Sequence, residues 1–229
     1  ETVVALWSEA GGPPARLNVS SNIPIGKGMS SSAALCLSIV LCVHGDSLDK
    51  QEACKEAQRL EHVVLGTPCG LLDQMTMMHS VEECCTLIDF TNLETSTIPY
   101  PNTWKFKLVD SGIQRTLNSE DYRQTTGEMD KKLHVREENA RVHQALNSTN
   151  EQLGELLNQT HESLRMIGVS TPEVDSIVKS LQSKKGVLGA RMMGGGFGGM
   201  ILVLVEDDGV LPHLPLLVPS KAGFIEESI

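Results

Sequence analysis

The sequence predicts an α+β fold in two domains, and three observations carry that prediction. Helix-type and strand-type patterns mix along the chain without the regular strand–helix–strand spacing of a doubly wound sheet. The 229 residues suit one large domain or two small ones. Tyr100-Pro101-Asn102 offers a junction, giving residues 1–101 and 102–229 as the two domains. Hydrophobic residues make up 40% and charged residues 21%, a globular composition in a chain long enough to bury a core. With aromatics at 3%, that core must rest on Leu, Ile, Val, Met and Ala.

The elements follow in order. The chain begins at Glu1 rather than Met and opens on Thr2-Val3-Val4-Ala5-Leu6-Trp7 as though already inside a domain. Arg16 to Ser21 alternates like a strand, with Leu17 and Val19 on one face. Asn22 to Met29 reads as a loop from its Pro and Gly content. Ser30 to Val43 is apolar on nearly every side and starts with serines, which predicts a buried helix with a Ser cap. Asp49 to Val64 is a second helix: Asp49 and Glu52 form a D-x-x-E capping signal, and Ala53, Ala57 and Leu60 form an apolar stripe. Gly66-Thr67-Pro68 breaks it, and Gly70 to His79 can form another helix. Cys85 to Phe90 and Thr95 to Ile98 read as strands joined by a turn at Thr91–Glu94.

Beyond the junction, Lys105 to Ser111 alternates as a strand. Asp121 to about Ser148 is polar and helical, and Glu151 to Ile167 is a helix with Leu153, Leu156, Leu157 and Leu164 inward. Ser170-Thr171-Pro172-Glu173 starts a helix with a capping box and Pro in the first turn. Val187 to Met193 and Met200 to Val205 are strand-like, and the tail after Glu206 carries weak signals.

The formal net charge is −10, from 19 basic and 29 acidic residues. No basic stripe offsets it, so nucleic acid is not an expected partner. No run of about 18 apolar residues exists, and a membrane partner is not expected either. No secretory pattern opens the chain, which makes a cytoplasmic protein the expectation. The six cysteines, Cys36, Cys42, Cys54, Cys69, Cys84 and Cys85, form no C-x-x-C pair and read as reduced thiols. The seven histidines show no H-x-x-x-H or H-x-x-H spacing, so no zinc site is expected. The sequons at Asn18, Asn147 and Asn158 read as chance matches.

Three segments carry chemistry. In Pro24-Ile25-Gly26-Lys27-Gly28-Met29-Ser30-Ser31-Ser32-Ala33-Ala34, glycines let the backbone approach a ligand closely. Consecutive amides at a helix start form an anion nest, and serine hydroxyls can hold phosphate oxygens or Mg²⁺. A Gly-rich turn feeding an ordinary capped helix is the plainer alternative, and the P-loop pattern is absent. In the second segment, Asp73 and Gln74 project from the apolar run Cys69-Gly70-Leu71-Leu72. A carboxylate there can take a hydroxyl proton, or can simply cap a helix. Glu61 is either a solvated charge or a second Mg²⁺ anchor beside serine oxygens. The third segment, Gly194 to Gly199, holds five glycines in six residues. It contains G-x-G-x-x-G, but strand-like Met200 to Val205 follows it, so a tight loop between strands replaces the dinucleotide-binding reading. Such a loop suits close approach to another backbone or a ligand.

Taken together and in this order, the three segments resemble the GHMP small-molecule kinases, and within them the galactokinase branch. Pro24-x-Gly26-x-Gly28-x-Ser30-Ser31-Ser32-Ala33 looks like the phosphate-binding motif, Cys69-Gly70-Leu71-Leu72-Asp73-Gln74 like C-G-[IV]-M-D-Q, and Arg191 to Gly199 like the C-terminal glycine motif. The resemblance implies an N-terminal part like ribosomal protein S5 domain 2 and a ferredoxin-like α+β C-terminal part. It implies an ATP-dependent sugar kinase that uses Mg²⁺ and passes the γ-phosphoryl group to the anomeric hydroxyl of galactose. A small sugar is thus the expected partner, and a monomer the expected state. By the same resemblance Pro24, Gly26, Gly28, Ser30, Ser31, Ser32 and Ala33 would bind nucleotide, and Ser32 and Glu61 would bind the metal. Asp73 would be catalytic, Gly70, Asp73 and Tyr122 would contact sugar, and Gly194, Gly195, Gly196 and Gly198 would pack beside the phosphate site. The motif G-R-x-N-x-x-G-E-H-x-D-Y, which precedes these segments in the family, is absent, so the expectation is an N-terminally truncated kinase lacking its leading strands. The G-K-G and D-Q-M-T details also resemble plant L-arabinokinase domains. A galactose-sensing regulator and a catalytically inactive fragment are further alternatives, and Ser32-Ala33 favours a kinase over the regulator.

Overall fold

The computed structural model describes residues 1–113 and 128–224. The chain divides into two units. The first comprises Glu1–Ile23, Ser30–Tyr100 and the stretch from Val218 on, and the second comprises Pro24–Met29 and Pro101–Leu217.

In the first unit, α1 (Thr2–Glu9), α2 (Ser31–His44), α3 (Lys50–Val64) and α4 (Leu72–His79) pack with the hairpin of β1 (Cys84–Asp89) and β2 (Glu94–Pro99). The strands are antiparallel, with Cys84 opposite Pro99 and Asp89 opposite Glu94. Leu6, Cys36, Leu37, Val40, Ala57, Leu60 and Met75 form a core without a buried aromatic ring. The small side chains of Ala53, Cys54 and Ala57 line the buried face of α3. Asp49 caps α3 as its spacing predicts: its carboxylate accepts from the Glu52 amide, and the Glu52 carboxylate accepts from the Asp49 amide.

Two expectations fail here. Arg16–Ser21 is not a strand: it pairs with no strand among the described residues, and Val19 is 51% exposed. Alternation supplies an apolar face, but a strand needs a neighbour for its amides and carbonyls. The serine cap of α2 is not made either. Ser30 stands at the cap position with φ 54° and ψ 32°, and its side chain accepts no capping hydrogen bond.

In the second unit, β3 (Phe106–Asp110), β5 (Met200–Val205) and β4 (Val187–Met192) form an antiparallel sheet with β5 in the centre. With it go α5 (Glu128–Ala145), α6 (Asn150–Met166) and α7 (Pro172–Gln182), of which α6 and α7 pack on β4. Ile201, Val203 and Val205 join Val174 and Val178 in one apolar cluster, while Leu202 and Leu204 join Leu153 and Leu157 in another. That division follows the two-residue period of a strand buried on both faces. The start of α7 differs from the predicted box: Thr171 is the cap, its hydroxyl accepting from the Val174 amide, and Ser170 donates to Asp175 instead.

Candidate active site

In the first unit, the predicted residues sit on three helices that pack against one another. Ser31, Ser32 and Ala33 form the first turn of α2, Glu61 lies in the last turn of α3, and Asp73 lies in the first turn of α4. The first α2 bond in the helical pattern runs from the Ala34 amide to the Ser30 carbonyl at 3.0 Å. The amides of Ser31, Ser32 and Ala33 find no backbone partner among the described residues, which is the donor arrangement an anion meets at a helix start. The left-handed Ser30 costs about 1–2 kcal/mol. It keeps its own side chain from capping these amides, so they stay available.

Glu61 is only 2% exposed, and no Lys or Arg pairs with it among the described residues. Its Oε2 accepts from Gln74 Nε2 at 2.5 Å and from the Cys69 thiol at 3.4 Å. Burial, and then the Glu61 carboxylate, push the Cys36 thiol up to about 12. Cys36 lies one turn beyond Ser32 on α2. A buried carboxylate held by neutral donors alone is a site short of positive charge. The donor set therefore fits a hard, oxygen-seeking cation such as Mg²⁺ that also binds phosphate. Among the described residues no group of three or more His, Cys, Asp or Glu gathers for an all-protein metal cage.

Asp73 is partly exposed and bonds to no other described residue, so its carboxylate is available to a ligand. Gly70 is exposed, with open space where a Cβ would stand. The Cys69 carbonyl beside it is fixed by Gln58 Nε2 at 2.9 Å and meets His62 Nε2 at 3.0 Å. Tyr122, the remaining predicted sugar contact, lies outside the described residues.

In the second unit, Pro24–Met29 meets the glycine loop. The Met200 amide donates to the Lys27 carbonyl at 3.0 Å, and a Cβ on Gly199 would stand 2.6 Å from that oxygen. A Cβ on Gly196 would lie 2.2 Å from the Val169 carbonyl, and one on Gly198 would lie 2.7 Å from that of Ile113. The loop is thus glycine-rich because three backbone segments press on it, which is the close approach its composition predicts. Gly194 and Gly195 belong to the turn that leads into this contact. Lys27 Nζ pairs with Asp110 at 2.8 Å, and this pairing, with help from the Gly112 amide, holds the Asp110 carboxyl below the usual carboxylate range. An open cleft of about 820 Å³ between α5 and α6, lined by His134, Glu137, Arg141 and Met166 among others, contains none of the predicted site residues.

Sequence reasoning assigned no role to Gln74 or to the Cys69 thiol. The available signal was a polar residue beside Asp73 at a position that the apolar pattern marks as inward.

Two family models match the chain, "GHMP kinases N terminal domain" over residues 1–80 and "GHMP kinases C terminal" over residues 142–211. A galactokinase of Thermotoga maritima is 35% identical over 228 aligned residues, which cover 83% of this chain and 65% of that protein. One from Thermosipho africanus is 31% identical, covering 85% and 66%. The chain thus spans about 65% of the length of the curated relatives it matches. The crystal structure of Lactococcus lactis galactokinase complexed with galactose superposes with a TM-score of 0.75 at 24% identity, covering 92% of this chain and 68% of that one. The Methanococcus jannaschii mevalonate kinase structure superposes at 0.66 with 19% identity, covering 96% and 75%. At these identities the structural likeness establishes the fold.

Proposed function

The chain belongs to the GHMP kinases, and from that premise we propose that it serves an ATP-dependent sugar 1-kinase acting on galactose. The observation that supports the proposal is that Ser32, Glu61 and Asp73 stand on three mutually packed helices. The galactokinase relatives supply the substrate class.

In this reading the amides of Ser31, Ser32 and Ala33 hold the phosphate oxygens of ATP. Ser32 and Glu61 hold Mg²⁺, which when bound would neutralise charge on the phosphates. Asp73 accepts the proton of the anomeric hydroxyl as that oxygen bonds to the γ-phosphorus. The bond from the γ-phosphorus to the β,γ-bridging oxygen breaks, leaving galactose 1-phosphate and ADP. Little else is required of the protein, because phosphoryl transfer is driven mainly by positioning and charge neutralisation. Gly70, with open space at its Cα, lets the sugar lie against the backbone before α4. The resemblance of the G-K-G and D-Q-M-T details to L-arabinokinase domains supports arabinose as the second candidate.

The test is Asp73→Ala in the complete natural protein, assayed for ADP release with galactose and with arabinose. Loss of turnover by about 10²–10⁴-fold is expected, with nucleotide affinity changed less than about threefold. Turnover within a few-fold of wild type would show that Asp73 is not the base, and faster turnover with arabinose would reassign the substrate.

A further inference from the structure

One buried contact links the metal and catalytic positions of the proposed site. Gln74 follows Asp73 in the first turns of α4 and is fully buried, and its Nε2 donates to Glu61 Oε2 at 2.5 Å. The Cys69 thiol donates to the same oxygen at 3.4 Å. Both donors are neutral, so neither replaces the positive charge a metal would bring. Both use Oε2, and Oε1 accepts no hydrogen bond among the described residues. The Gln74 side-chain carbonyl, Oε1, is a buried oxygen without a partner, so the amide is retained although only one of its ends is satisfied. A buried amide left half-unpaired costs stability, and the cost is consistent with a role for the satisfied end.

We propose that Gln74 is a positioning residue for phosphoryl transfer. Its amide turns the Glu61 carboxylate so that Oε1 faces the metal, and its place beside Asp73 ties that orientation to the catalytic carboxylate. Cys69 is the second tether on Oε2. A residue of similar size without the amide would leave α4 packed, but Glu61 would be free to rotate. Metal affinity would fall through the loss of a fixed ligand geometry, as happens when the groups that orient metal ligands are removed. The proposal rests on the assignment of Glu61 to the metal.

The experiment uses Gln74→Leu and Glu61→Ala in the complete natural protein. Mn²⁺ is titrated by electron paramagnetic resonance in the presence of a non-hydrolysable ATP analogue, and turnover is followed against Mg²⁺ concentration. For Gln74→Leu, Mn²⁺ affinity should fall about tenfold, and half-saturating Mg²⁺ should rise by a similar factor. The KM for sugar should stay close to wild type while Mn²⁺ affinity falls, a split that a merely structural loss of stability would not produce. If Gln74→Leu does not fold, Gln74→Asn carries the same expectation, because its shorter arm withdraws the amide from Glu61. Wild-type Mn²⁺ affinity in a folded Gln74 variant, beside a weakened Glu61→Ala, overturns the proposal alone. Unchanged affinity in Glu61→Ala overturns the metal assignment and the proposal with it.

Discussion

The buried imidazoles take their proton affinity from burial more than from neighbouring charge. His161 is 6% exposed; its Nδ1 accepts from the Met192 amide at 3.3 Å, and its Nε2 lies 3.2 Å from Asp175 Oδ1. Burial pushes its pKa below the usual 6.5, and the attraction of Asp175 opposes that shift without reversing it. Burial lowers His79 and His134 in the same way. Each of these groups binds a proton more readily in the unfolded chain, so each contributes stability that is fully present above 6.5. That stability is lost as the pH falls toward the folded values. The midpoint of urea unfolding is therefore expected to hold steady above about pH 6.5 and to drop by about pH 5.5, before most carboxylates titrate. A midpoint that stays flat or rises over that interval would contradict the burial of these imidazoles.

Elements are positioned by contacts that their own sequences only partly announce. The D-x-x-E signal at Asp49 marks the start of α3, and the structure makes that box. The equivalent T-x-x-Q signal at Thr149 and Gln152 starts α6 one residue before the predicted Glu151, and it was readable by the same rule. The placement of α6 on the sheet is another matter. A Cβ on Gly154 would stand 2.3 Å from the Leu188 carbonyl, and one on Gly189 would stand 2.2 Å from the Gly154 carbonyl, so two glycines permit the approach of helix and strand. Gly154→Ala should therefore destabilise the protein by about 1–3 kcal/mol through overpacking. This outweighs the gain of up to about 1 kcal/mol that alanine brings to an ordinary helix position. Urea unfolding of this variant decides between the two effects, since a stabilised variant would mean that the contact relaxes without cost.

At the scale of the whole molecule, an acidic chain of net charge −10 has to bind a polyanion if the proposed function holds. Backbone amides at the start of α2 and a bound cation can do this locally, so overall charge sets the encounter rate and not the site. ATP with Mg²⁺ at about 100 times its dissociation constant should then stabilise the protein by about 2.7 kcal/mol, read as a rise in melting temperature. Asp73→Ala should keep that rise. If the rise is absent in the wild type, the phosphate site is not assembled in this chain.

The sequence by itself determined α2, α3, α6, β1, β3, β4 and β5, since their patterns are local and each has a core to cover, but it did not mark α1 as a helix. It also held the three motifs in order, and these were enough to point to the family. Tertiary structure alone decided what depends on partners distant in the chain. Arg16–Ser21 has the alternation of a strand, yet it finds no ladder among the described residues and stays irregular. Glu61 reads as a surface charge on a helix until Gln74, 13 residues away, and Cys69 meet it in a buried pocket. The Gly194–Gly199 loop shows its purpose only where Lys27, Ile113 and Val169 press their backbones against it. The physical reason is one of range. Propensity, capping and periodicity act within a few residues, whereas burial, desolvation and close backbone approach depend on which distant segments the fold brings together.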